Sequence, residues 1–164
     1  MVADVTELGD IAPRFVELAH SIVWCTVSTT DPAGRPRSRV LHPIWEWDGQ
    51  ELTGWIFTGQ TPAKLAHLAH SPYVSCNYWV PTHDTCLAEC AAEWVGDLET
   101  KTRLWELFRS TPPPLGYDPG GIGVPGWNGP DSPGVSLLRL RPWRLRVLPG
   151  KDFFNGLPAT SWRE

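Results

Sequence analysis

The sequence predicts a mainly β protein, an antiparallel β-barrel of about six strands with flanking helices. Two observations support this fold class. Apolar and β-branched runs follow one another through the first half of the chain, and tight-turn sequences rather than helices separate several of them. Consecutive hairpins of this kind favour an antiparallel meander that closes into a barrel. The chain has 164 residues, 41% of them hydrophobic and 20% charged, and we expect residues 1–164 to form one domain.

Local patterns then place each element along the chain. Apolar residues three and four apart predict helices, and runs rich in β-branched and aromatic residues predict strands. The DPAG sequence from Asp31 to Gly34 and the Asp48-Gly49 pair suit tight turns, so they predict two hairpins. The predicted helices cover residues 10–21, a segment that begins at Pro62 and stops before Pro72, and residues 98–108. The predicted strands cover residues 23–29, 35–41, 44–47, 52–58, 73–80, 86–95 and 135–147.

Pro and Gly dominate residues 110–134, which rules out regular structure there. Loops of this length in compact domains are usually functional or mobile. Tyr117 and Trp127 within it can close over a ligand, or the segment can pack on a partner subunit, and the sequence leaves both open. Pro142 inside a predicted strand indicates a bulge or an edge position. The tail, residues 149–164, is predicted to be irregular.

Composition excludes several classes of protein. A formal net charge of -4 argues against a nucleic-acid-binding surface. No apolar run reaches the length of a membrane span, and the N-terminus lacks a signal pattern, so we expect a cytoplasmic protein without a membrane segment. The four cysteines are expected to be reduced and semi-buried. His83, Cys86 and Cys90 do not have a usual zinc-site spacing, so no metal site is predicted.

The segment that begins at Thr61 is a candidate anion site. Thr61 suits a helix N-cap and Pro62 the first helical turn, and a helix start offers free N–H groups to an anion. Lys64 adds a positive charge in the same turn. On this stretch alone, a capped surface helix with a solvated lysine is the favoured interpretation, because capped helices are far commoner than phosphate sites. His67 and His70, further along the helix, are expected to be exposed, and His42 could point into a site.

The order of motifs from Arg39 to Trp79 resembles the pyridoxamine-5′-phosphate-oxidase-like superfamily, the FMN-binding split β-barrels. In that family a strand ends in Phe-Thr or Tyr-Thr, a Lys follows six residues after the Thr, and a further strand often ends in Trp. The resemblance covers about residues 15–148, and the segment LLRLRPWRLRV is similar to the family's closing strand. The residues that keep the family register are Phe57, Thr58, Lys64, Leu68, Pro72 and Trp79.

The resemblance implies a set of cofactor-binding residues. Arg37 or Arg39, together with hydroxyl groups and Lys64, would hold a flavin phosphate, and backbone on the strand before the second hairpin would lie along the isoalloxazine ring. It also implies a homodimer with cofactors in clefts between subunits. The full set of implied cofactor-binding residues is Arg37, Arg39, Val40, Leu41, His42, Phe57, Thr58, Thr61 and Lys64.

The implied function is a flavin-dependent oxidoreductase that passes hydride or electrons between bound FMN and a small substrate. True pyridoxamine-phosphate oxidases have Ser-Arg-Lys where this chain has Pro62-Ala63-Lys64, and no Arg-x-His motif follows Val147, so that activity is not expected. One alternative is a reductase that uses the deazaflavin coenzyme F-420 as a dissociable co-substrate. Another is a non-catalytic flavin- or haem-binding protein. The sequence indicates no catalytic acid or base.

Overall fold

The computed structural model describes residues 2–164, in which one large sheet is flanked by helices. The helices are α1 (Ala12–Ile22), α2 (Pro62–His70), α3 (Leu98–Ser110) and α4 (Gly150–Phe154), with a short 3-10 helix at Leu8–Asp10. The strands are β1 (Val2–Asp4), β2 (Cys25–Thr30), β3 (Pro36–Leu41), β4 (Ile44–Trp47), β5 (Leu52–Thr58), β6 (Tyr73–Trp79), β7 (Thr85–Val95), β8 (Ser136–Leu148) and β9 (Ala159–Arg163).

Strand β8 organises the sheet. It pairs with β7 along one edge, while its other edge pairs first with β5 and then with β9. The sheet continues from β7 through β6 and β2 to β3, and β4 pairs with β5. Strands β1 and β9 are parallel, and every other pairing described for residues 2–164 is antiparallel. No pairing in this range joins β3 to β4, so the sheet is open between them.

A bulge in β8 confirms the expectation drawn from Pro142. Glu89 of β7 lies opposite Arg144, but the next residue, Cys90, lies opposite Pro142. Trp143 is therefore an extra residue that β7 does not match. Proline cannot donate a ladder hydrogen bond, so a bulge between two pairing partners is a position that tolerates it.

Two apolar cores lie on opposite sides of β5, because neighbouring residues of a strand point to opposite faces. Ile56 packs into a core with Phe15 of α1, whereas Trp55 and Phe57 pack into a second core with α3. Tyr78 is fully buried in the first core, and its hydroxyl accepts a hydrogen bond from Trp45 Nε1 at 2.8 Å. The first core also contains free, fully buried cysteines, which the sequence had suggested would be only half-buried: Cys25, Cys76, Cys86 and Cys90.

Predicted and observed elements differ most at the chain ends. Within residues 2–164 the structure has nine strands where the sequence predicts about six, and the tail contains α4 and β9 instead of irregular backbone. Strand β9 forms because the second half of β8 extends past β5 and would otherwise present an unpaired edge. Strand β1 then pairs along β9. Within residues 2–164, no helix combines the length and the apolar character that crossing a bilayer requires.

Beyond Ser110, the last residue of α3, the Pro/Gly-rich segment of residues 110–134 lacks helices and strands, as predicted, but it is packed against the protein. The backbone N–H of Tyr117 donates to the carbonyl of Phe108 at 2.9 Å. Trp127 is only 7% exposed, and its Nε1 donates to the carbonyl of Gly134 at 3.1 Å. These contacts attach the segment to the second core, so it covers α3 and the adjoining part of β5 and β8.

Candidate functional site

A small pocket opens between β3, β5 and α2, at the gap in the sheet. Its volume is about 20 Å³, roughly the space for one water molecule. Strands from several parts of the sheet contribute to its wall, which means that the sheet curls around it. The apolar wall comprises Val27, Leu41, Leu68, Val74, Trp94 and Leu138. The polar residues are Thr29, Arg39, Thr58 and Lys64.

Lys64 reaches this pocket from the first turn of α2. Thr61 caps the helix, as predicted, because its Oγ1 accepts the backbone N–H of Lys64 at 3.3 Å. The Lys64 ammonium donates to Thr58 Oγ1 at 2.5 Å and to the carbonyl of Gly59 at 3.2 Å. Both acceptors are uncharged oxygens at the end of β5, so the lysine charge is held in place but not neutralised.

Arg39 reaches the pocket from β3. Its Nη1 donates to Thr29 Oγ1 at 2.7 Å, to the carbonyl of Arg37 at 3.1 Å and to the carbonyl of Val27 at 3.4 Å. These acceptors are also uncharged. Among the described residues, no carboxylate oxygen lies within 4.0 Å of the cationic nitrogens of Arg39 or Lys64.

The pKa directions agree with an unneutralised positive charge. Burial lowers the pKa of Lys64, and the charge of Arg39 lowers it further. Burial likewise lowers the pKa of Arg39, with a second contribution from the charge of Arg37. Each cation is thus partly desolvated and repelled by another cation. An anion bound between them would relieve both penalties, and a phosphate group suits guanidinium and ammonium donors in particular.

Four of the nine residues that the resemblance implies therefore line one pocket: Arg39, Leu41, Thr58 and Lys64. Two others lie beside it. Arg37 is exposed, with its Nη1 4.0 Å from Asp31 Oδ2. Thr61 faces a neighbouring open groove that Gly59 and Ser136 also line.

The remaining three implied residues place their side chains elsewhere. Val40 is 62% exposed, on the face of β3 opposite to Arg39. Phe57 is 5% exposed in the second core, where its ring packs edge-on against Phe108. The side chain of Phe57 therefore supports the strand that carries Thr58 and does not line the pocket.

His42 contacts the Pro/Gly-rich segment. Its Nε2 donates to the carbonyl of Leu115 at 2.5 Å. The ring lies between Trp24 and Tyr117, with centroid distances of 4.9 Å and 4.8 Å. Burial lowers the pKa of His42, with a smaller opposing effect from the Leu115 hydrogen bond. The side chain of His42 thus attaches the end of β3 to residues 110–134 and does not line the pocket.

Sequence reasoning missed two residues, Thr29 in the pocket wall and His67 behind it. The expectation that His67 is exposed is wrong: it is 6% exposed, and its Nδ1 lies 2.9 Å from Thr29 Oγ1. The physical reason is helix geometry, because a residue three positions after Lys64 shares its face of α2. That spacing was the one signal in the sequence that could have identified His67.

No group of three metal-ligating side chains occurs within residues 2–164. Cys86 is fully buried in the first core, whereas His83 packs on the ring of Phe153. Burial raises the pKa of the thiols of Cys25 and Cys86. This disfavours the thiolate form that ligates a metal.

Comparison with known proteins identifies the fold. No protein-family model matches the sequence, and no curated protein is similar to it in sequence. Solved structures are similar over most of the chain. A protein related to general stress protein 26, of the pyridoxinephosphate oxidase family, from Clostridium acetobutylicum has a TM-score of 0.65 at 16% identity, covering 94% of this chain and 95% of its own.

Two further structures extend this similarity. A pyridoxamine 5′-phosphate oxidase-related, FMN-binding protein from Nostoc punctiforme has a TM-score of 0.60 at 18% identity, covering 93% of this chain and 87% of its own. An F420 reductase has a TM-score of 0.54 at 16% identity, covering 79% of this chain and 93% of its own. The chain therefore has the pyridoxamine-phosphate-oxidase-like split-barrel fold, which confirms the resemblance drawn from its motifs.

Proposed function

We propose that this protein binds a phosphorylated flavin, with FMN as the leading candidate, and acts as an oxidoreductase on a small substrate. One observation carries the proposal: Arg39 and Lys64 enter one pocket from two elements, and both are held by uncharged oxygens. A phosphate dianion would supply the missing negative charge. The split-barrel fold supports the choice of a flavin, because one similar protein of this fold is described as FMN-binding.

Each pocket residue has a distinct role in this proposal. Arg39 and Lys64 bind the phosphate, and the hydroxyl groups of Thr58 and Thr61 accept or donate hydrogen bonds beside it. The backbone of residues 40–42 lies along the ring system. A bound flavin supplies the hydride or electron transfer, and the protein supplies orientation and electrostatics. No side chain in the pocket is proposed as an acid or base.

We also propose a homodimer with the cofactor between subunits. Large apolar side chains are exposed on the outward face of β3 and β6, the two strands that flank β2: Val40 on β3 at 62%, and Tyr73 and Trp79 on β6 at 59% and 55%. Exposed apolar patches of this kind mark interaction surfaces. Sedimentation equilibrium should report a dimer. Trp79→Lys should shift the protein toward monomer, and a wild-type monomer at micromolar concentration would contradict this part of the proposal.

A second candidate is a reductase that uses the deazaflavin coenzyme F-420. The similarity to an F420 reductase favours it, since that protein shares the fold over 79% of this chain. The pair of pocket cations suits an anionic group on either coenzyme. The two candidates differ in how tightly the coenzyme is bound, because a dissociable co-substrate is lost from the protein during purification.

The test is a comparison of ligands on the purified protein. Absorption spectra identify any bound chromophore, and isothermal titration calorimetry with FMN, riboflavin, coenzyme F-420 and haem gives the affinities. We expect FMN to bind at least about tenfold more tightly than riboflavin, because only FMN carries the phosphate. Binding of F-420 without FMN would favour the second candidate. A Soret band, or bound flavin that no nicotinamide donor reduces, would favour a binding protein without turnover.

A further inference from the structure

A buried hydrogen bond connects His67 to Thr29 directly behind the two pocket cations. Both residues are almost inaccessible, with exposures of 6% and 8%. His67 Nδ1 lies 2.9 Å from Thr29 Oγ1, and the same oxygen lies 2.7 Å from Arg39 Nη1. The three groups form a chain from the inner face of α2, through β2, to the guanidinium on β3.

Proton counting and distance together indicate the direction of these hydrogen bonds. A guanidinium can only donate, so Thr29 Oγ1 accepts from Arg39. The single hydroxyl proton of Thr29 then has two possible acceptors: His67 Nδ1 at 2.9 Å and the carbonyl of Arg37 at 3.5 Å. The shorter contact favours donation to His67. When Thr29 donates to His67, Nδ1 of His67 is the acceptor and the ring proton lies on Nε2.

This arrangement occupies only one nitrogen of the Arg39 guanidinium. All three of its hydrogen bonds in the described chain involve Nη1, whereas Nη2 and Nε have no acceptor among residues 2–164. A guanidinium anchored by one nitrogen keeps the remaining donors for a planar or tetrahedral anion. The hydroxyl of Thr29 thus sets the orientation of the Arg39 guanidinium, and His67 sets the orientation of that hydroxyl.

We infer that Thr29 and His67 are positioning residues that hold Arg39 in the orientation in which it binds the phosphate of the cofactor. This inference rests on the proposed function. His67 and Lys64 share one face of α2, so the helix that supplies one cation also orients the other. The His67–Thr29 contact joins α2 to β2, which pairs with β3. It therefore sets the spacing of the two cations, on which their simultaneous contact with one anion depends.

The test compares FMN and riboflavin binding in two pairs of variants. Thr29→Val and His67→Leu remove the hydrogen bond with little change in volume, whereas Thr29→Ser and His67→Asn keep a hydroxyl and an acceptor. We expect each of the first pair to weaken FMN binding about fivefold, with riboflavin binding unchanged, and each of the second pair to restore most of the loss. A merely structural role would weaken both ligands together. His70→Leu, on an exposed position of the same helix, is the matched control.

Two further measurements make the inference refutable. A double-mutant cycle should be non-additive, because the double variant loses the same contact that either single variant loses. Nitrogen NMR of the imidazole should show His67 protonated on Nε2. If wild-type protein prefers FMN over riboflavin but His67→Leu keeps that full preference, the positioning role is refuted and the proposed function stands. If wild-type protein shows no preference for FMN, the phosphate site itself is refuted.

Discussion

The replacement Lys64→Met tests the charge of the pocket with little change in side-chain length. It removes the ammonium that donates to Thr58 Oγ1 at 2.5 Å and to the carbonyl of Gly59 at 3.2 Å. If Lys64 binds the phosphate, the variant loses one charge-assisted hydrogen bond to it, a contribution of about 1.5–3 kcal/mol. Because Lys64 is half-buried and partly screened, we expect the lower part of this range, or about tenfold to fiftyfold weaker FMN binding.

The free energy of unfolding should respond very differently. Burial and the charge of Arg39 lower the pKa of Lys64, so the folded protein disfavours the charged lysine relative to the unfolded chain. Removing the charge relieves that penalty while it deletes two hydrogen bonds to uncharged oxygens. These effects oppose each other, and we expect the unfolding free energy without ligand to change by less than about 1 kcal/mol.

The assay is calorimetric titration of FMN and riboflavin, with urea unfolding measured in parallel. Lys64→Arg should keep much of the FMN affinity, and Lys151→Met, at an exposed position of α4, should keep all of it. Raising the ionic strength should weaken FMN binding to the wild type more than to Lys64→Met, because salt screens the removed charge. Equal losses for FMN and riboflavin, or no loss for FMN, would refute the phosphate assignment.

Three further predictions concern stability and are measured by urea unfolding. Tyr78→Phe should lower the unfolding free energy by about 1–3 kcal/mol, because the buried Nε1–H of Trp45 loses its acceptor. His20 Nε2 accepts the backbone N–H of Trp45 at 3.0 Å, and burial lowers the pKa of His20. The unfolded chain therefore binds the proton more readily than the folded protein does. The unfolding free energy should fall as pH falls below 6.5, and it should fall less in His20→Gln. Gly116→Ala should be severely destabilising, because the added Cβ would lie 1.6 Å from a backbone carbonyl oxygen, whereas Gly96→Ala, with open space around it, should be nearly neutral.

Local chemistry explains why much of the fold could be predicted from the sequence. The strand predicted at residues 52–58 is observed at Leu52–Thr58, and the helix that begins at Pro62 ends at His70. Caps, tight turns and apolar spacing act within a few residues, so the sequence displays them directly. Strand β9, in contrast, depends on residues far from it in the sequence, because it pairs with an edge of β8 that β5 leaves unpaired. The residues near 159–163 contain no sequence pattern that indicates the unpaired edge of β8.

The candidate site shows the same division between local and distant information. The motif containing Phe57, Thr58 and Lys64 was found in the sequence, but strand alternation sends Phe57 into the second core and Thr58 into the pocket. The importance of Thr29 follows from the register of β2 against β3, which sets Arg39 opposite Val27, two residues before Thr29 on the same face of β2. A register of this kind depends on the assembled sheet.

The position of Asp31 explains how the pocket keeps its charge. Its carboxylate, in the turn between β2 and β3, accepts the backbone N–H groups of residues 33 and 35 and pairs with Arg35 at 2.8 Å. Its nearest approach to Arg37 is 4.0 Å, and it makes no ion pair with Arg39. The hydrogen bonds of the turn therefore hold the Asp31 carboxylate, which precedes Arg37 and Arg39 in the chain. Arg39 and Lys64 are the cationic side chains that line the pocket, and its positive charge depends on keeping carboxylates away from those two groups.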